Sequence, residues 1–433
     1  MSLITEKARS SFSITTLGCK LNQYESECIR QALVLRGWDF RTFGENADYC
    51  IINTCTVTGR TDSRCRNAIR RARKAAPDST IVVTGCYAET QAGMLEKMPE
   101  TDMVIGNEGK NSIVDILERL AGRSDSEAYG HFDIADFHEH SRAFIKIQEG
   151  CDASCTYCII PRARGRSRSV PFERVLAQVK KLEDNGIEEI VLTGIHIGRY
   201  GRDLSGGPSL DRLIEILLEE TGSLRIRLSS IEVTEVTDGI LRLISGTERL
   251  APHLHIPLQS GDDKILKAMN RPYDTSFFME KLEALRGLSG SIGIGTDIIT
   301  GFPGEDDQSF RRTLEFVDSL PLTYFHVFSF SRRPGTPADT MDGQVDPDTR
   351  KRRSRKLIKL GRSKKLGFMR SRTGSHETAI IQGKAKRYSR FSTALTGSYC
   401  EVSVDCPSSI KGRLVPIEIT HYSRGRLYGR IVS

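Results

Sequence analysis

The chain lacks the marks of an exported or membrane protein. Its first residues, MSLITEKARSSF, hold no apolar signal core, and no run among the 433 residues is long enough to span a bilayer. The expected location is therefore cytoplasmic, with no membrane partner. In a reducing compartment eleven cysteines are not a disulfide framework, so they are ligands plus bystanders. A second cysteine pair is also missing after Cys158, since the next cysteine is Cys400. That absence disfavours a structural zinc site, which takes four ligands in paired arrangements. Hydrophobic content of 38% with 27% charged residues is ordinary for a globular protein. At roughly 150 residues per domain, the length suggests about three domains.

What is present is a C-x3-C-x2-C triad, Cys151, Cys155 and Cys158. Three thiolates leave one corner of a cubane iron–sulfur cluster without a protein ligand, and such an iron is open to a small molecule. The spacing, with Tyr157 directly before the third cysteine, resembles that of the radical S-adenosylmethionine (SAM) enzymes. In that family the open iron chelates SAM, and electron transfer from the cluster releases a 5′-deoxyadenosyl radical.

Three further cysteines end apolar runs near the N-terminus. Ser13–Gly18 leads to Cys19, Tyr49–Thr54 to Cys55, and Ile81–Gly85 to Cys86, each followed by a helical pattern. Alternating strands and helices predict a parallel α/β sheet, and ligands collect at the carboxyl ends of such strands. Cys19, Cys55 and Cys86 are thus a candidate second three-thiolate site. Cys28, Cys50 and Cys65 fall within helices or strands and are read as packing residues.

A polar joint from Gly122 to Ser141 precedes a second α/β region. Strands are expected at Phe144–Gln148, Glu189–Thr193, Arg225–Ser229, His253–Leu258, Ile292–Ile299 and Tyr324–Phe330, with helices at Glu173–Asn185 and Ser309–Leu320 between some of them. Six βα units predict a partial TIM-like barrel with the Cys151 loop after its first strand and the chemistry at its carboxyl face. Glu232, Gln259, Ser260, Gly301, Gly304 and Glu305 fall in loops at that face and are the expected SAM pocket. His196 and His255 are read as packed or substrate-contacting side chains, not metal ligands.

Charge is uneven although the net value is only +8. Between Arg350 and Arg372 there are twelve basic residues and no acidic one. This run is either a solvated helix face or a nucleic-acid contact, the candidates being Arg350, Arg352, Arg353, Arg355 and Lys356. From Thr373 onward nine basic residues, Lys386 and Arg387 among them, stand against four acidic ones. Alternating runs at Glu401–Val404 and Ile417–Thr420 suggest a small β-barrel there, and its charge favours phosphate.

Several segments together resemble the radical-SAM methylthiotransferases. They are Leu17–Glu25, Asn53–Cys55, Thr84–Cys86, Gly150–Arg168, His255–Gly261, Gly295–Glu305 and Arg333–Ala338. Lys20-Leu21-Asn22-Gln23 is similar to the branch that acts on N6-threonylcarbamoyladenosine in tRNA; the isopentenyladenosine branch and the branch modifying a ribosomal-protein aspartate read differently there. The resemblance implies two [4Fe-4S] clusters and SAM. Cys151, Cys155 and Cys158 would carry the radical-generating cluster. Cys19, Cys55 and Cys86 would carry the auxiliary cluster that supplies sulfur, methylated by a second SAM before insertion. It also implies a C-terminal TRAM domain, an RNA-binding barrel, and an electron donor such as a flavodoxin or ferredoxin; a monomer is expected.

The resulting plan is an α/β domain over 11–122, a radical-SAM partial barrel over 141–349, a basic linker or helix over 350–372 and a TRAM-like barrel over 373–433. Two other readings stay open: a methylthiotransferase with one of the other two substrates, and a non-catalytic iron–sulfur RNA-binding sensor.

Overall fold

A computed structural model describes residues 10–123, 134, 140–288, 290–384 and 390–432. Most of the Gly122–Ser141 joint lies outside the described residues, as do Lys386 and Arg387. The chain forms two compact units. The first holds residues 1–135 with 150–152 and 158–166, and the second holds the rest.

The first unit is built on five parallel strands, β1 (Ser11–Thr16), β2 (Asp39–Phe40), β3 (Tyr49–Thr54), β4 (Thr80–Gly85) and β5 (Met103–Ile105), in the order β2-β1-β3-β4-β5. The central strands are rich in Ile, Val and Thr and are buried along most of their length, as a sheet covered on both faces requires. Helices Lys20–Leu35 and Gly59–Ala75 follow β1 and β3 respectively, with β2 between them. Thr58 caps the second of these by accepting from the Thr61 amide. Cys28, Cys50 and Cys65 are buried in packing positions, as expected.

The second unit begins with β6 (Ala143–Lys146) and β7 (Gln148–Glu149), which pairs antiparallel with β8 (Arg168–Ser169). Then come β9 (Glu189–Thr193), β10 (Arg225–Leu228), β11 (His253–His255), β12 (Gly293–Thr300) and β13 (Tyr324–Ser329). Strands β6, β9 and β10 form one parallel sheet and β11, β12 and β13 another. Bridges Ile226–Leu250 and Ser230–His255 join them, giving the partial barrel of six parallel strands predicted from the sequence. Asp262 and Asp306 cap the helices that follow β11 and β12.

The basic run is helical from Pro347 to Ser371, started by an Asp346 cap and a proline in the first turn. Beyond it β14 (His376–Lys384), β15 (Phe391–Thr396), β16 (Glu401–Asp405), β17 (Leu414–Ser423) and β18 (Arg426–Ile431) close a barrel in the order β14-β15-β16-β18-β17, mostly antiparallel. It is seated against β10. Arg225 donates from Nη1 to the Thr378 carbonyl at 2.7 Å, and Arg227 donates to the Gly397 and Thr396 carbonyls at 2.9 and 3.0 Å. Both guanidiniums also bind Glu189, whose side chain is wholly buried. Burial opposes ionisation of that carboxyl, yet Arg227, Arg225 and Arg142 hold it down at about 2.

Candidate functional site

In the first unit β1, β3 and β4 are neighbours, so the cysteines that follow them converge at one sheet edge. Their approach depends on glycine. Gly18 has φ +128°, and a β-carbon there would lie 2.7 Å from Cys55 Cβ; Gly85 has φ +99° and a β-carbon would lie 2.3 Å from the Thr54 carbonyl. Burial pushes the Cys55 thiol up to about 12, and Cys86 and Cys19 push the same way. The Cys19 thiol touches solvent but is enclosed enough that desolvation raises it, opposed by the Arg164 guanidinium and reinforced by Cys86. The Cys19 and Cys55 thiols therefore resist ionising, and a shared cation removes that penalty.

A polar cluster stands beside these thiols. Arg164, fully buried, donates from Nε to Cys86 Sγ at 3.2 Å, from Nη1 to Glu25 Oε1 at 2.7 Å and from Nη2 to Asn22 Oδ1 at 2.6 Å. Lys110 Nζ reaches the other Glu25 oxygen at 2.6 Å. Asn22 donates to the Leu17 and Thr54 carbonyls, tying together the loops that carry Cys19 and Cys55. Three thiols on rigid strand ends with cationic support fit a cubane cluster.

The other triad sits on the loop between β7 and β8. Cys151, in the first unit, donates its amide to the Gly165 carbonyl at 3.1 Å. Cys155, in the second, lies on a segment fixed at several points: Thr156 pairs through its backbone with Met269 and Ala338, Asn270 Nδ2 donates to Ser154, and Tyr157 packs with Met269, Phe302 and Phe330. Arg271 donates from Nη1 to Cys155 Sγ at 3.2 Å and is paired with Glu232. Burial alone would weaken its charge, but Tyr273, Tyr157, Glu232 and Cys155 outweigh that and raise it above the usual range.

The expected SAM-pocket residues divide in two. Glu232 remains at the carboxyl end of β10, paired with Arg271, and Gln259 holds φ +71° while its backbone pairs with Asp297 and Ile299. Ser229 Oγ, at the same end of β10, is buried with no hydrogen-bond partner among the described residues, an orphan that a polar ligand would satisfy. Ser260 is turned inward beside Thr313, and the Gly304 amide is bound to the Gly343 carbonyl. Glu305 accepts from the Gly301 amide at 2.9 Å and is paired with buried Arg353 at 2.7 Å.

That last pair revises the reading of the basic run. Arg353 is buried and engaged by Glu305 and Asp307, so it does not face outward for RNA, while Arg350 is half-buried and donates to the Phe330 carbonyl. Arg352, Arg355 and Lys356 are exposed. Arg362 and Lys365 from the same helix, with Arg142 and Arg426, line a cavity of about 970 Å³ that also contacts Tyr399 of the C-terminal barrel.

His196 Nε2 lies 2.8 Å from Glu235 Oε1, and His255 Nε2 lies 3.0 Å from Asp297 Oδ1. With His326, the latter pair brings its donor atoms within 4.8 Å of one another.

Residues 145–317 match the Radical SAM superfamily and residues 11–106 match the family described as Uncharacterized protein family UPF0004. The threonylcarbamoyladenosine tRNA methylthiotransferase MtaB of Bacillus subtilis is 40% identical over 80% of this chain and 79% of its own length. The Rickettsia prowazekii protein of the same name is 40% identical over 85% and 87%. The chain belongs to the radical-SAM methylthiotransferase family. A tRNA-2-methylthio-N(6)-dimethylallyladenosine synthase of Carboxydothermus hydrogenoformans is 30% identical over 98% of this chain and the whole of its own. Among solved structures, the radical SAM methyltransferase TsrM of Kitasatospora setae aligns with a TM-score of 0.55 over 76% of this chain and 74% of that one; at 13% identity the likeness is one of fold alone.

Membership brings a [4Fe-4S] cluster and SAM. Among the described residues no helix is long and apolar enough to cross a membrane. Sequence reasoning assigned no role to Arg271, Arg164 or Asn22. Asn22 and Arg164 stood inside quoted motifs, but their partners lie far along the chain.

Proposed function

We propose that the protein converts N6-threonylcarbamoyladenosine of tRNA to its 2-methylthio derivative. The observation that carries this reading is the convergence of Cys19, Cys55 and Cys86 at one sheet edge, in a chain 40% identical to methylthiotransferases of that name. In this reading Cys151, Cys155 and Cys158 hold the radical-generating cluster and Cys19, Cys55 and Cys86 hold the auxiliary one. When bound, the first supplies the electron that cleaves SAM and the second supplies sulfur.

The protein's own groups do the positioning. Arg271 orients Cys155 and fixes Glu232 at the barrel mouth. Ser229 offers a polar partner to SAM. Exposed Arg352, Arg355 and Lys356, with the basic lining of the cavity beside the C-terminal barrel, support contacts to tRNA phosphates. A small electron-transfer protein of the flavodoxin or ferredoxin class is the proposed reductant.

The test is anaerobic incubation of the reconstituted protein with SAM, reductant and tRNA lacking the methylthio group, followed by nucleoside mass spectrometry. The 2-methylthio-N6-threonylcarbamoyladenosine mass is expected. SAM cleavage without it, or the corresponding product on isopentenyladenosine alone, overturns the substrate assignment. Absence of 5′-deoxyadenosine altogether favours the sensor reading.

A further inference from the structure

Arg164 is placed by the short helix Ile160–Arg164, which starts two residues after Cys158. Yet its guanidinium lies among residues of the sheet domain. Its side chain is wholly buried, Glu25 and Asn22 pin its terminal nitrogens, and Nε points at Cys86 Sγ. Asn107 adds a hydrogen bond from the sheet domain to the same helix, donating to the Ala163 carbonyl at 2.5 Å.

Charge explains why an arginine would be buried here. Arg164 and Lys110 outnumber Glu25 in this cluster of described residues. Three thiolates on an oxidised cubane core carry one net negative charge, and hydrogen bonds to cluster sulfurs together with local charge set its potential. A purely structural arginine would need Glu25 alone, and Lys110 already neutralises Glu25. The contact to Cys86 is additional to that need. Arginine also suits the task better than lysine, because its planar fork holds Glu25 and Asn22 while a third nitrogen stays aimed at the sulfur.

We propose that Arg164 is a positioning residue for the auxiliary cluster, donating to the Cys86 ligand sulfur and raising the cluster's reduction potential. This rests on the reading that Cys19, Cys55 and Cys86 hold a cluster.

The experiment uses the full chain with Cys151, Cys155 and Cys158 replaced by alanine, so that only the auxiliary cluster assembles. Its potential is followed by EPR-monitored redox titration with Arg164 intact, with Arg164→Gln and with Arg164→Lys. Arg164→Gln is expected to shift the midpoint to more negative potential at unchanged iron content, and Arg164→Lys, which keeps the charge, to recover part of the shift. Equal potentials in all three overturn the proposal. If Arg164→Gln fails to load iron, the Lys variant decides: a potential unchanged from the parent overturns the proposal, and a negative shift upholds it. If the parent background itself holds no cluster, the underlying site reading fails instead.

Discussion

Arg271 donates to the sulfur of Cys155 at 3.2 Å while its other terminal nitrogen is held by Glu232. In the proposed reading, a buried guanidinium that touches the Cys155 sulfur and a carboxylate at the barrel mouth orients that cysteine without supplying an atom to the reaction. Outer-shell partners of this sort typically contribute 10- to 100-fold in metal affinity or activity. Arg271→Leu is therefore expected to lower 5′-deoxyadenosine formation by about that factor, with Arg271→Lys in between. Iron content and product should be measured on the same preparations.

The proposed two-cluster scheme makes the triads separable by mutation. Anaerobically reconstituted protein should hold about eight irons, as two cubanes require. Cys55→Ala should reduce this to about four, keep SAM cleavage and abolish methylthio product. Cys155→Ala should also lose about four irons but end SAM cleavage as well. Full product from Cys55→Ala would eliminate the two-cluster scheme.

Gly18 sets the approach of the loops that carry Cys19 and Cys55. Gly18→Ala adds a carbon 2.7 Å from Cys55 Cβ at a backbone angle that side chains rarely adopt. Such strain costs about 1–3 kcal/mol. Local relief by displacing Cys55 is the expected result, read as loss of auxiliary iron with SAM cleavage kept and the melting temperature lowered by a few degrees.

Glu189 makes acid sensitivity predictable. Its carboxyl is lowered to about 2 in the folded protein against 4.5 ordinarily, with Arg227, Arg225 and Arg142 overcoming burial. The resulting stabilisation, of order 3 kcal/mol, is complete above about pH 4.5 and lost as pH falls through about 2. Glu189→Gln strands two buried arginines and should destabilise by about 3–5 kcal/mol at neutral pH. Denaturant titrations at descending pH should show the two proteins converging; a constant gap would contradict the assignment.

On the basic helix, replacing Arg352, Arg355 and Lys356 by alanine should weaken tRNA binding and flatten its dependence on log salt by about two to three units. Arg353→Ala should instead lower stability, because it leaves Glu305 buried without its cation. Fluorescence anisotropy across a salt series separates the two classes.

Much of this was legible in the sequence where the signal is local. A strand ending in cysteine is a short pattern, and three of them in one parallel sheet meet by topology alone; the six barrel strands were read from similar runs. The inward turn of Arg353 was not read: a run treated as one basic stretch hides it, although Arg353 shares a helix face with Leu357 and Gly361, spaced by four residues. Arg271 and Arg164 were not legible. Their partners Cys155 and Glu25 lie 116 and 139 residues away, and neither periodicity nor composition pairs residues over such distances. Ser260 and Glu305 were placed at the correct strand ends, but which way each side chain turns follows from Thr313 and Arg353, again remote in the chain.

The C-terminal barrel is gripped by Arg225 and Arg227 through the main-chain oxygens of Thr378, Thr396 and Gly397. Peptide oxygens are the same whatever side chain they carry. Those two arginines place no demand on the side chains at these three positions, whereas Tyr399, stacked on His253 and lying under Arg227, is a contact that depends on its ring. A barrel of the same backbone shape that kept this tyrosine would find the same seat.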